Sequence, residues 1–350
     1  MQQSESAVAI LNRFRPMVDE AIEGVLEGRA DVLLYEMVRY HLGMEGAGSS
    51  ESSGKRVRAA LCLLSCEAMG GRAEAAAPAA AAVELMHSFT LLHDDIADRD
   101  EVRRGRPTVW KRWGVGQAVT AGDALFALAN IAATRIVEGG PAAGMQTATC
   151  PPYRTATAVL GELNEATLTV CEGQQLDISY EGRAEISAAD YLRMIEGKTA
   201  ALFAASCSIG ARVAGAPEAR RAALAEFGRE VGLGFQIRDD VLGIWGDPGE
   251  MGKPVGSDLR RNKRSLPVVH ALHAPGGAEL AARLAAGVGS DREAAEVAAL
   301  IERLGARSLC EQMAGECLAR GIAALAKAEP EASSADELRT LARFLIERSK

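Results

Sequence analysis

Residues 87–108, HSFTLLHDDIADRDEVRRGRPT, run from apolar and small side chains into a cluster of carboxylates and then directly into paired arginines. At about 3.6 residues per turn, Asp94 and Asp98 share one helix face, with Asp95 about 100° round from Asp94. Like charges at that spacing repel, so the cluster must be solvated, paired with cations, or used to hold a hard metal such as Mg²⁺. A bare DDxxD is as readily a solvated helix end, and the rest of the chain decides between these readings.

Hydrophobic residues make up 48% of the 350 positions, ample for a large core, yet aromatics are only 4%. Alanine, leucine and valine must fill that core, and no long period-2 run rich in Val, Ile and Thr stands out, which favours packed helices over sheets. The formal charge of −8 and the absence of a Lys/Arg block argue against nucleic-acid binding. The seven cysteines, Cys62, Cys66, Cys150, Cys171, Cys207, Cys310 and Cys317, never fall as CxxC and read as small core residues in a reducing cytoplasm. No uninterrupted apolar run reaches the length of a membrane span, and MQQSESAVAI lacks the marks of a leader, so no stable membrane insertion is expected.

Outward from the opening stretch, apolar positions at helical spacing predict amphipathic helices over residues 1–30 and 31–41, and residues 45–54 are a Gly/Ser segment. GKRVR, 54–58, then opens an apolar run. Basic residues oppose the dipole at a helix start, which makes sense if Lys55, Arg58 and the free N–H groups receive an anion; a basic surface turn is the plainer alternative. His87 and His93 by themselves are more often core histidines than ligands. Residues 139–153 carry too many breakers for regular structure and read as a surface loop. Lys198 and Thr199 sit amid apolar neighbours, where an unpaired ammonium is costly, so Lys198 must snorkel or face a polar cavity. FQIRDDVLG, 235–243, repeats the opening theme, and two acidic helix ends in an apolar helical chain suggest two halves of one metal site. Lys253, Asp258, Lys263 and Arg264 follow in a Gly/Pro-bounded loop.

HDDIAD followed by RRGRPT, with GKRVR upstream and KT, FQIRDD, GK and KRSLP downstream in this order, resembles the trans-type isoprenyl diphosphate synthases, or polyprenyl synthetases, of the short-chain geranylgeranyl type. The motifs cover about residues 50–270. The resemblance implies an all-α, single-domain bundle of ten or more helices around a deep central cavity (the isoprenoid synthase fold), with residues 1–30 as a peripheral helix and the chain as a homodimer. It implies that Asp94, Asp95, Asp98 and Asp239 hold Mg²⁺, three ions in all with Mn²⁺ as a substitute, and that Asp240 supports this metal set. Arg103, Lys198, Thr199, Gln236, Lys253 and Lys263 would serve the allylic diphosphate, and Lys55, Arg58, His87 and Arg104 the isopentenyl diphosphate. Lys198 joins the four ligating aspartates as the catalytic group. The sequence departs from the family at Gly243, where a third carboxylate is usual; Asp247, one turn on, is a weaker substitute.

Phe89 lies five residues before Asp94, about 7 Å deeper along the helix, and with the small Thr90 beside it resembles the chain-length floor of geranylgeranyl diphosphate synthases. A farnesyl or longer product is the alternative. A class I terpene cyclase would not need the GKRVR, His87 and Arg104 set, and a non-catalytic subunit would be expected to lose aspartates that are all present here.

Overall fold

The computed structural model describes residues 2–29, 32–44, 54–137, 152–181, 183, 185–246 and 256–348. Helices α1 (Gln2–Leu26), α2 (Leu33–Leu42), α3 (Val57–Ala68), α4 (Ala73–Ala97), α5 (Val109–Trp113), α6 (Val115–Thr134) and α7 (Pro152–Tyr180) come first. Next is α8 (Ala188–Ile195), which runs through a π turn (Glu196–Ala200) into α9 (Ala201–Val213), then α10 (Glu218–Trp245) and the short α11 (Ser257–Arg260). The chain ends with α12 (Leu266–His273), α13 (Gly277–Ala286), α14 (Asp291–Arg303), α15 (Ala306–Lys327) and α16 (Ala332–Glu347). The class is all-α, as the composition suggested. Residues 152 and 153, expected in a loop, begin α7, while residues 138–151, Asp247 and Lys253 lie outside the described residues.

Among the described residues the only strands are a two-residue hairpin, β1 (Val102–Arg103) and β2 (Arg106–Pro107), with Arg103 opposite Arg106. Its turn, Arg104 and Gly105, has φ of 53° and 72°. Positive φ at both central residues is the tight turn that matches strand twist, and the hairpin turns Arg103 back onto Asp95 at the end of α4 and lays Arg106 over the Tyr40 ring.

The chain packs as two compact units. The first comprises residues 1–167, 202–228 and 324–341. Its core takes in Phe14, Ile22, Met37, Leu61, Leu64, Leu85, Phe203 and Phe227, so the N-terminal helix is part of it. Small residues set its spacing: Ala79 to Ala82 are wholly buried, and a Cβ on Gly210 of α9 would lie 1.9 Å from the Cys62 carbonyl oxygen of α3. Backbones this close leave no space for bulk, which accounts for the scarcity of aromatics. Cys62, Cys66 and Cys207 are buried in the same packing.

The second unit comprises residues 168–201, 229–323 and 342–350. Ile244, Leu259, Val268, Leu280, Val297 and Ile301 form its apolar centre. Ser187 and Asp190 make a reciprocal cap that starts α8, as Ser290 and Glu293 do for α14. Helices α4 and α6 are long and apolar enough to cross a membrane, but 61% of the apolar window of α4 is inside the protein, as in a core helix. Helix α6 is 39% buried and presents Val115, Val119 and Phe126 on one exposed face.

Candidate active site

In the first unit, α4 ends at Ala97, and its last turn carries Asp94 and Asp95, with Asp98 as the capping residue. Asp94 and Asp98 are half-buried, whereas Asp95 is 2% exposed and faces the hairpin. There Arg103 Nε donates to Asp95 Oδ1 at 2.6 Å. The Asp100 carbonyl oxygen anchors the base of the hairpin, accepting from Thr108 Oγ1 at 2.7 Å and Trp110 Nε1 at 2.9 Å.

The residues expected to take a second diphosphate come together one to two turns earlier on α4. Arg58 Nη1 lies 3.0 Å from His87 Nε2, and its guanidinium lies over the Phe203 ring at 4.5 Å. Burial first, then the charges of Arg58, Arg104 and Arg103, hold the His87 pKa well below its ordinary value. The ring is therefore neutral, Nε2 accepts from Arg58, and Nδ1 carries the proton. His41, whose Nε2 donates to the Ser88 carbonyl at 3.0 Å, is likewise driven down to about 3 by burial and the neighbouring arginines. The Arg104 guanidinium lies against Gly54, where a Cβ would meet its Nη2 at 2.6 Å, and the φ of 76° at Gly54 is one that favours glycine. Lys55 is exposed beside it. Arg56 instead turns inward, as described below.

Phe89 packs edge-on to His93 at 4.9 Å and to Phe126 of α6 at 5.5 Å between ring centres. His93 is seated by Gly122, where a Cβ would meet its Nε2 at 2.1 Å. Thr90 turns its hydroxyl back to the His87 carbonyl at 2.8 Å, leaving its methyl as the only apolar surface.

In the second unit the π turn places Lys198 and Thr199. A Cβ on Gly173 of α7 would lie 2.1 Å from the Lys198 backbone nitrogen, so α7 and the turn touch through their backbones. Extra residues inserted in a helix commonly mark functional positions. Lys198 Nζ pairs with Asp177 at 2.5 Å, which resolves the cost of its apolar setting. No motif marks Asp177 in the sequence; a lysine among apolar neighbours, which needs a partner, is the signal that points to it. Thr199 Oγ1 donates to Gln236 Oε1 at 2.8 Å.

On α10, Asp239 pairs with Arg348 near the end of the chain, and Arg348 lies over the Phe235 ring at 4.8 Å. Asp240 is 2% exposed. It accepts from Tyr191, from the Leu266 backbone N–H at 3.1 Å and from Gln236 Nε2 at 3.1 Å. The position at Gly243 is not open: a Cβ there would meet Asp258 Oδ2 at 2.3 Å, and Asp258, expected in a loop, stands in the short helix α11, whose carboxylate fills that space.

Burial raises the carboxyls of Asp95 and Asp240 from 3.8 to about 6 against the opposing effects of Arg103 and Tyr191. Such a group holds its proton longer in the folded chain than in the unfolded one, so between about pH 4 and pH 6 its contribution to stability falls as pH rises. Asp240→Asn is expected to flatten that fall, read as a smaller shift of the urea midpoint across the same pH range.

No group of three or more His, Cys, Asp or Glu among the described residues is close enough to hold a metal by itself. The donors nonetheless suit Mg²⁺: they are carboxylate oxygens, part-exposed at Asp94, Asp98 and Asp239. Mg²⁺ commonly binds through one or two carboxylates, with substrate phosphates and waters completing the octahedron.

Residues 45–304 match the polyprenyl synthetase family. The chain is 44% identical to a geranylgeranyl diphosphate synthase of Mycobacterium tuberculosis, across 97% of this chain and 93% of that one. It is 41% identical to a (2E,6E)-farnesyl diphosphate synthase of the same organism, across 91% and 88%. Its structure matches that of a polyprenyl synthase from Caulobacter crescentus, complexed with calcium and isoprenyl diphosphate. The TM-score is 0.83 at 28% identity, over 99% of this chain and 98% of that one.

Proposed function

Because the chain belongs to the polyprenyl synthetase family, we propose that it is a Mg²⁺-dependent trans-prenyltransferase that joins isopentenyl diphosphate to dimethylallyl, geranyl or farnesyl diphosphate and ends at geranylgeranyl diphosphate. The observation that carries this is the second cationic set. Arg58, neutral His87 and Arg104, with Lys55 at the loop, offer a place for a second diphosphate that an enzyme ionising one substrate alone does not need.

In this reading Asp94, Asp95, Asp98 and Asp239 hold the metal and Asp240 supports them, with Arg103 donating to Asp95 at 2.6 Å. Bound Mg²⁺ neutralises charge developing on the leaving diphosphate. Arg103, Lys198, Thr199, Gln236, Lys253 and Lys263 serve the allylic diphosphate, where donors to the leaving oxygens stabilise the developing charge. Arg58 and Arg104 hold the second diphosphate so that its C3–C4 double bond faces the allylic cation. Attack forms the new carbon–carbon bond, and loss of a proton restores the alkene.

Phe89, steadied by His93 and Phe126, is the floor that stops the growing chain. Phe89→Ala is expected to shift the main product to one or more isoprene units longer, seen by chromatography of the dephosphorylated alcohols; an unchanged distribution rejects the floor. The farnesyl product is the second reading, favoured by the 41% identity to a farnesyl diphosphate synthase. We also assign a homodimer, supported by the exposed apolar face of Val115, Val119 and Phe126 on α6, and a cytoplasmic setting for the reaction.

A further inference from the structure

Tyr191 is among the largest fully buried side chains and belongs to none of the motifs that carry the reaction. Its hydroxyl donates to Asp240 Oδ2, which also accepts from the Leu266 N–H at 3.1 Å, while Oδ1 accepts from Gln236 Nε2 at 3.1 Å. The Gln236 amide is thereby oriented, so that its Oε1 accepts from Thr199 Oγ1 at 2.8 Å. One continuous set of bonds thus links α8, the π turn, α10 and the first residue of α12. Lys263, three residues before Leu266, adds its charge to those that steady the Asp240 carboxylate.

A carboxylate in so enclosed a place is tolerated because three donors surround it. Both of its oxygens are engaged and its exposure is 2%, so it cannot turn toward a metal without abandoning those bonds. We propose that Tyr191 is a positioning residue: through Asp240 it fixes the rotation of α10 that aims Asp239, the rotamer of Gln236, and the start of α12 behind Lys263. The proposal rests on the reading that Asp239, Gln236 and Lys263 serve the allylic diphosphate. Groups behind metal and substrate ligands commonly change affinity or activity by about 10–100-fold when lost, and misplacement by about 1 Å has comparable consequences.

Tyr191→Phe keeps the ring and removes only the donor. The test measures binding of geranyl thiodiphosphate, an unreactive allylic analogue, to the full chain in the presence of Mg²⁺ by calorimetry, together with the KM for each substrate. Tyr191→Phe is expected to weaken analogue binding and raise the allylic KM about tenfold or more, leaving the isopentenyl KM at its parental value. Asp240→Asn should do the same, and should carry the test if Tyr191→Phe does not fold. The double variant should be no weaker than the weaker single one, as for two groups acting as a unit. Val297→Ala, a cavity in the apolar centre of the same unit, should lower the melting temperature without moving either KM. Parental analogue affinity in Tyr191→Phe alongside a loss in Asp239→Asn would reject the positioning role and leave the diphosphate reading intact. Parental affinity in Asp239→Asn would overturn both.

Discussion

Asp94→Ala lowers the turnover number by about 10²–10³-fold, the loss typical of removing one group that stabilises developing charge, and leaves the melting temperature at or slightly above that of the parent. The two halves of this expectation have separate causes. Asp94 is part-exposed in the last turn of α4, where a negative charge opposes the helix dipole and repels Asp95. Its removal relieves that local cost and, on the proposed reading, takes away a ligand for the metal. Steady-state kinetics with Mg²⁺ in excess, alongside a thermal melt, checks both. Near-normal Mg²⁺-dependent turnover would contradict the ligand role, and a large drop in melting temperature would mean that Asp94 is structural.

Arg56→Ala has the opposite profile, costing about 3–5 kcal/mol of stability, the usual result of stripping one partner from a buried ion pair. Arg56 is 3% exposed and adopts a left-handed backbone, φ 49°, at the start of α3. Its guanidinium reaches Glu84 Oε1 at 3.2 Å, Asp19 Oδ1 at 3.2 Å and the Leu42 carbonyl at 3.1 Å. Glu84 is itself 3% exposed, and its other oxygen is buried without a hydrogen-bond partner, so losing Arg56 strands a carboxylate in the core. The urea midpoint at neutral pH measures the loss; a midpoint unchanged from the parent would contradict the buried pairing.

Arg56 also marks a limit of reading residues 54–58 as one basic motif. The spacing made Lys55 and Arg58 candidates to receive an anion, and Arg58 does face His87. Nothing in the local sequence, however, separates the arginine that turns inward, because Glu84, Asp19 and Leu42 come from three other elements. Helices were legible wherever an apolar period ran unbroken, and Asp94 and Asp98 could be placed on one face by the helical repeat. The two-residue hairpin was not: its turn depends on positive φ at Arg104 and Gly105, and four strand residues leave no period to detect. The enclosure of Asp240 was hidden for the same kind of reason, since Tyr191 and Leu266 lie 49 and 26 residues away from it. At Gly243 the sequence showed a missing carboxylate, whereas the space is filled by Asp258, fifteen positions later in the chain.

The most direct measurement is an assay of the purified chain alone, with isopentenyl diphosphate and each of dimethylallyl, geranyl and farnesyl diphosphate, in Mg²⁺ and in excess chelator. All three primers should be extended to geranylgeranyl diphosphate, and turnover should cease in the chelator. Failure to extend any primer, or conversion of one allylic diphosphate to a cyclic hydrocarbon without isopentenyl diphosphate, would contradict the assignment.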